Sequence, residues 1–321
     1  MKLLFLRNQL AYVKFFVSSA SSYPRPEWFR RYLKRVEGLQ KDLDASIDEL
    51  ELKKAQIEVL ENQERCGVDI LTEGLLIWHD FLATIPLRMG FKPDGLARYF
   101  ENNLYYRIPV LEDERMLKKP VLEDFRIACK IWKRKLPLKA IISCLTAFYL
   151  SKCNEKIFPK FAELVMQEVQ DLFKLTDDVQ LDEPILSFNF TDQFEAFIEV
   201  VDSFDFKGRL WISTYFGDLN REIYSKLIDR FDVVGLDFVE GLEGNLDNLR
   251  ELGCKSICAG IVDGRNTKME NPDLLRQKVE KIADCGPNTV YLSTNTGLEF
   301  LPEFKAYEKM TLLSKLKKVL K

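Results

Sequence analysis

The sequence predicts an α/β chain folded as a (β/α)₈ barrel of the TIM type, with a helical excursion near its N-terminus. Three observations carry this. Eight short apolar runs recur along 321 residues, with stretches of helical periodicity between them. The runs are rich in Val, Ile and aromatic residues, the pattern of parallel strands buried on both faces. Most end in Gly or polar residues, and about 250 residues suffice for such a barrel, so this chain has length to spare for insertions.

The elements follow in chain order. The first run is "AYVKFFVSS" (11–19). The N-terminal stretch "MKLLFLRNQLAYVKFFVSSASSYP" has the apolar patches of a signal peptide, but Arg7 and Lys14 interrupt the apolar core that such a peptide needs. It reads as a lead-in to a buried strand. Residues 27–66 form a long charged amphipathic helix or helix pair, with Leu33, Val36, Leu39, Leu43, Ile47 and Leu50 at steps of three and four. That stripe loses phase near Leu52, so packing on the barrel is favoured over a coiled coil. "VDIL" (68–71) is the second run, and residues 85–125 read as an irregular insertion with one more possible strand, "LYYRIPVL".

"KAIIS" (139–143) is the third run. The segment 158–175 after it carries Phe161, Leu164, Val165, Val169 and Leu172 at helical spacing. "VQLDEP" (179–184), "RLWIST" (209–214), "VVGLDF" (233–238), "SICAGIVDG" (256–264) and "TVYLSTN" (289–295) complete the eight. The stretch 271–286 has Pro near its start and Gly at its end, as helix caps prefer. No linker or low-complexity boundary interrupts the chain, so residues 1–321 are expected to form one domain.

Composition narrows the function. The net charge is −3, from 47 basic and 50 acidic residues, which gives no electrostatic reason for a nucleic-acid partner. No run of 18 apolar residues exists, so no membrane-spanning helix is expected. The seven cysteines are scattered and lack a C-x-x-C pair, which points to free thiols in a reducing cytoplasm. His79, in "IWHDF", is the one histidine and reads as a partly buried side chain with its hydrogen bonds met.

In such a barrel, function lies at the C-terminal ends of the strands. Those ends are "SSYPRP", "DEP", "TYFGD", "DFVEG", "VDGRN" and "STNTG", and their carboxylates, Arg, Asn and Tyr suit a polar small molecule. Asp182 and Glu183 are neighbours on a strand, so at most one enters the barrel mouth. Asp263, Arg265 and Asn266 suggest a loop held by an internal Asp–Arg pair, with structural and binding roles both open. Ser213 and Ser293 have no His partner in their sequence context, and no Gly-rich phosphate loop exists.

The strings "YPRPEWFRRYLKR", "GVDILTEGLLIWHDFLATIPLRMGF", "FENNLYYRIP", "VQLDEPIL", "TYFGDL", "GLDFVEG", "GIVDGRN" and "TGLEFLPEFKAYEKMTLLSKL" occur in the order seen in cobalamin-independent methionine synthase. The resemblance spans about residues 13–316. That family has two barrels related by duplication. The C-terminal one holds zinc, which binds homocysteine as a thiolate, and the N-terminal one lacks zinc and helps bind the folate methyl donor. "TYFGDL" and "GIVDGRN" resemble the N-terminal barrel. In some archaea the halves are separate polypeptides, and this chain is similar to such a half.

The resemblance implies roles residue by residue. Where the zinc barrel has His-x-Cys, a Glu and a second Cys, this chain has Tyr215 with Gly217, Asp237 and Thr296. Thiolate and imidazole hold zinc while leaving a position for substrate sulfur, and these substitutes imply no metal site and no cofactor resident in this chain. Arg31 and Lys34, with Arg25 nearby, match the family's folate-binding basic residues, although its "FPRIG" is "YPRPE" here. A cationic turn suits an acidic tail, because carboxylates pair with Arg in a forked geometry. Substrate-binding candidates are therefore Arg25, Arg31, Lys34, Tyr215, Asp237, Asp263, Arg265 and Asn266; no catalytic residue is singled out. The implied partners are a methyl-tetrahydropterin co-substrate and a separate zinc-bearing catalytic subunit that transfers the methyl group to homocysteine. The alternative is a non-catalytic scaffold that stabilises that subunit.

Overall fold

The computed structural model describes residues 13–39, 47–78, 81–98, 105–111, 119–133, 136–188 and 193–320. Arg7, Leu43 and His79, which figured in the expectations, lie outside them. Ten strands occur among the described residues: β1 (Lys14–Val17), β2 (Lys92–Ala97), β3 (Tyr106–Leu111), β4 (Lys139–Ile142), β5 (Lys152–Cys153), β6 (Asp178–Asp182), β7 (Arg209–Ser213), β8 (Val233–Asp237), β9 (Ser256–Val262) and β10 (Thr289–Thr294).

Seven of them form one parallel sheet in the order β1-β10-β9-β8-β7-β6-β4. Two parallel bridges, Ser18 to Ile70 and Leu71 to Leu138, join its two edges. The "VDIL" run thus occupies the second barrel position, as a bridging pair rather than a full strand. Asp69 explains the shortness. Its carboxylate accepts the N–H of Val17 at 2.6 Å, so a side chain stands in for the ladder. The other seven expected runs are strands within three residues of the expected bounds.

The barrel is filled from inside. Ile70, Trp211, Val233, Cys258 and Tyr291 pack as one buried cluster, with the Trp211 and Tyr291 rings 4.5 Å apart. Outside, helices press apolar stripes on the sheet. Phe158–Leu172 buries Phe161, Val165, Val169 and Leu172 and leaves Leu164 half-buried. Each such residue fully buried contributes about 1.5–3 kcal/mol. Pro272–Ala283 has the expected Pro in its first turn and starts on Asn271, whose side chain accepts from Asp273 N and Leu274 N.

Of the two excursions, the first is the helix pair, one of its two expected forms, and the second differs from expectation. Residues 27–66 contain two helices, Glu27–Leu39 and Glu49–Cys66, the second ended by Gly67 at a φ of 80°. Leu33 is buried but Leu50 is 57% exposed, so the apolar stripe does not run on from one helix to the next. In the 85–125 region, expected to be irregular with one more strand, the described residues hold two strands. Its β2 and β3 pair antiparallel, and β3 pairs parallel with β5 to make a second, three-stranded sheet.

Candidate functional site

The mouth of the barrel is built by residues that follow β1, β6, β7, β8, β9 and β10. At the end of β8, Asp237 is fully buried. Its carboxylate accepts from the backbone N–H groups of Phe216 (3.0 Å), Val239 (2.7 Å) and Glu240 (3.0 Å), and from Asn295 Nδ2 (3.2 Å). Burial still pushes its pKa above the usual carboxylate range, against the pull of those donors. Asp237 therefore ties the loop after β7 to the loops after β8 and β10. Gly241 permits the approach, since a Cβ there would lie 2.4 Å from Gly217 C and Asp218 N.

Tyr215 sits at the end of β7, buried, with its ring 4.9 Å from that of Phe216. Phe216 itself holds a φ of 76°. Burial raises the Tyr215 phenol well above its ordinary pKa, and Asp182, Tyr106, Glu299 and Glu183 add to the effect. Tyr106 belongs to β3, so the second sheet reaches the mouth. Thr296 is buried with its hydroxyl donating to Gly297 O at 3.2 Å.

Asp182 and Glu183 separate as strand alternation requires. Glu183 turns away and accepts the N–H groups of Cys144 (2.6 Å), Leu145 (3.2 Å) and Thr146 (2.7 Å), which begin the helix Leu145–Tyr149. Its pKa is raised to about 7 by burial. Asp182 faces the interior, where Oδ1 accepts from Gln180 Nε2 at 2.6 Å. Its Oδ2 is buried without a hydrogen-bond partner among the described residues. Burial raises the Asp182 pKa to about 6.

Of the other candidates, Arg25, Arg31 and Lys34 do not converge on this point, whereas Arg265 reaches it over Phe216. Arg25 donates to the carbonyls of Leu76 (2.5 Å) and Trp78 (2.6 Å), which pins the turn after β1 to the second barrel position. Arg31 is 73% exposed and pairs with Glu27 one turn back, at 3.1 Å. Arg31 and Lys34 line a shallow surface groove with Trp28 and Arg35. The expected internal pair of Asp263 and Arg265 is replaced. Asp263 accepts from Arg265 N and from the Asn266 side chain, while the Arg265 guanidinium pairs with Glu240 and lies 5.1 Å over the Phe216 ring.

Three features of this region were not anticipated. Glu299 is bonded to Ser22, which ties the loop after β10 to that after β1. Glu73, beside the mouth after the second barrel position, is buried and has its pKa raised to about 8 by burial. Lys139 is fully buried inside the barrel. The available signal was the inward polar series Asp178, Gln180 and Asp182 at every second residue of β6.

The zinc ligands of the related barrel have no equivalent set here. Of Tyr215, Gly217, Asp237 and Thr296, only Asp237 is of a common ligand type, and its oxygens are engaged by four N–H donors. These residues do not fit a zinc ion.

The family model for the N-terminal domain of cobalamin-independent synthase matches residues 88–286, more than half of the chain. The chain belongs to this family. A methionine synthase of Pyrococcus furiosus is 26% identical over 314 residues, covering 91% of this chain and 89% of that protein. A 5-methyltetrahydropteroyltriglutamate–homocysteine methyltransferase of Campylobacter jejuni subsp. doylei is 25% identical over 231 residues, 67% of this chain but 30% of that protein. Among solved structures, a B12-independent methionine synthase from Shewanella, in complex with selenomethionine, superposes with a TM-score of 0.77 at 18% identity, over 94% of this chain and 96% of that one. The fold is thus that of the synthase barrels. Among the described residues, no helix is long and apolar enough to cross a membrane.

Proposed function

We propose that the chain serves cobalamin-independent methionine synthesis as the zinc-free subunit of a split synthase. It binds a methyl-tetrahydropterin and presents it to a separate zinc-bearing subunit, on which homocysteine accepts the methyl group. Family membership supports the pathway. The observation that carries the division of labour is Asp237: the one ligand-type side chain among the four mouth positions is spent on three backbone N–H groups and an amide. The groove of Trp28, Arg31, Lys34 and Arg35 offers an aromatic face and three cations for the acidic tail of a folate-type donor.

The scaffold reading is favoured by one observation. The guanidinium of Arg25 is used for holding the carbonyls of Leu76 and Trp78, which is a structural task. Joint Arg31→Ala and Lys34→Ala substitution separates the two readings. Loss of pterin affinity with the complex intact supports presentation; unchanged affinity and activity support the scaffold.

The test is co-purification from the native cell with this chain as bait, with zinc measured in the complex and in the bait alone. The expected result is a zinc-bearing methionine-synthase-like partner and a zinc-free bait. Stoichiometric zinc on the bait alone, or no such partner, would overturn the proposal.

A further inference from the structure

The interior of the barrel below the mouth carries a line of polar side chains. On β6, Asp178, Gln180 and Asp182 point inward at every second residue, and all are buried. Asp178 is fully occupied: Arg209 pairs with it through two contacts of 2.8 Å, and Trp211 Nε1 donates to it at 2.8 Å. Lys139, on the neighbouring β4, is buried with its ammonium 2.5 Å from Gln180 Oε1, 3.1 Å from Ser18 Oγ and 4.4 Å over the Trp211 ring.

The chemistry of these groups fixes the line's direction. An ammonium only donates, so the Gln180 amide oxygen must face Lys139. The amide nitrogen then faces two acceptors, Ala20 O at 2.8 Å and Asp182 Oδ1 at 2.6 Å. A buried cation needs a compensating charge. Asp178 is already balanced by Arg209, which leaves Asp182, one amide away, as the counter-charge of Lys139. The carboxylate is thereby held by one oxygen, while Oδ2 keeps its acceptor capacity.

We propose that Lys139 is a positioning residue which, through Gln180, holds Asp182 with one oxygen ready to accept from a neutral N–H group of a ligand at the mouth, such as a ring amide or amino group. This rests on the reading of the mouth as a pterin site. A neutral donor fits better than an ammonium, because Lys139 already balances the one charge. Asp182 is covered by its neighbours, so a ligand group that reaches Oδ2 displaces the Tyr215 side chain beside it. The groups that face Asp182 are Lys139 from β4, Cys258 from β9, Tyr215 from the β7 loop, Ser21 from the β1 loop and Glu299 from the β10 loop. Lys139 is the cation among them. Burial raises the Asp182 pKa; the side chains of Ser21 and Gln180, and after them the charge of Lys139, oppose that rise.

The test uses the full chain with carboxyl-¹³C aspartate, the Asp182 resonance assigned by its loss in Asp182→Asn, titrated from pH 4 to pH 8. Lys139→Met is expected to move the Asp182 midpoint upward by about one pH unit or more, because it deletes the nearby cation. Should that variant not fold, Lys139→Gln keeps a donor for Gln180 without the charge and carries the same expectation. A purely structural Lys139 would lower thermal stability and leave the midpoint in place, and an unmoved midpoint overturns the proposal. Binding of 5-methyltetrahydropteroyltriglutamate is followed in parallel. Asp182→Asn turns its amide N–H toward the ligand donor and is expected to weaken binding tenfold or more; unchanged binding overturns the acceptor role. If wild-type chain binds no methylpterin while the midpoint shift is present, the function reading and the acceptor role fail and the positioning of Asp182 by Lys139 stands.

Discussion

Two aspartates at strand ends of one barrel, with β7 between their strands, do opposite things. Asp237, at the end of β8, receives four N–H donors and binds three loops together. Asp182, at the end of β6, receives Gln180 on one oxygen and keeps the other without a hydrogen-bond partner among the described residues. Both are buried, and in both burial raises the pKa. Residue type and strand position are therefore poor guides to role. What separates the two is how much of the carboxylate's hydrogen-bonding capacity the fold itself consumes.

The largest expected effect comes from removing the consumed one. Asp237→Ala strands three backbone N–H groups and is expected to cost roughly 3 kcal/mol, since hydrogen bonds to a charged acceptor contribute about 1.5–3 kcal/mol each and do not add fully. Asp182→Asn keeps an acceptor for Gln180 and removes a carboxylate oxygen without a partner. In the background of Lys139→Gln, which removes the cation that Asp182 balances and keeps a donor for Gln180, its further cost is expected to stay within about 1 kcal/mol. Urea denaturation of both variants measures the contrast. Equal losses would mean that Asp182 is as structural as Asp237.

The strands were legible because runs buried on both faces look the same wherever they occur. The split of Asp182 from Glu183 was legible too, since neighbours on a strand face opposite ways. Their partners were not. Glu183 caps a helix 37 to 39 residues earlier in the chain, and nothing local announces that pairing. Lys139 at the head of "KAIIS" reads as a surface charge until the closed barrel puts Gln180 and Trp211 around it. The second sheet was hidden because β2 is exposed along most of its length and carries Pro93 and Gly95, so it has no apolar run to recognise. Arg25 sits in the expected cationic turn, but its carbonyl partners are more than fifty residues away.

A smaller effect tests whether the buried carboxyls govern the response to pH. Burial raises Glu73 from 4.5 to about 8, Glu168 and Glu183 to about 7, and Asp182 from 3.8 to about 6. In each case the folded chain keeps a proton that the unfolded chain releases. The stabilisation from these groups is thus complete below about pH 4 and is lost as pH rises through 6 to 8. The melting temperature is expected to fall between pH 5 and pH 8. Glu73→Gln, a neutral isostere that retains an acceptor for Leu75 N, is expected to flatten that fall and to match wild type at pH 5. A wild-type curve that rises from pH 5 to pH 8 would show that these groups ionise without penalty.

The smallest effect sharpens the account of Asp237. The loop after β7 is held by Asn245 and Asn248 of the helix after β8 and by two further anchors: the buried Asp237 carboxylate, and the rim contact in which Arg265 lies over Phe216 and pairs with Glu240. The Arg265 and Glu240 side chains are 32% and 35% exposed, so solvent and salt screen the pair. Arg265→Ala is expected to cost about 0.5–1 kcal/mol, with a difference that shrinks further at 1 M salt. If the loop relied on its rim instead, Arg265→Ala would approach Asp237→Ala in cost and be indifferent to salt. The ordering of these two variants therefore decides whether the β7 loop is held from within the barrel or from its surface.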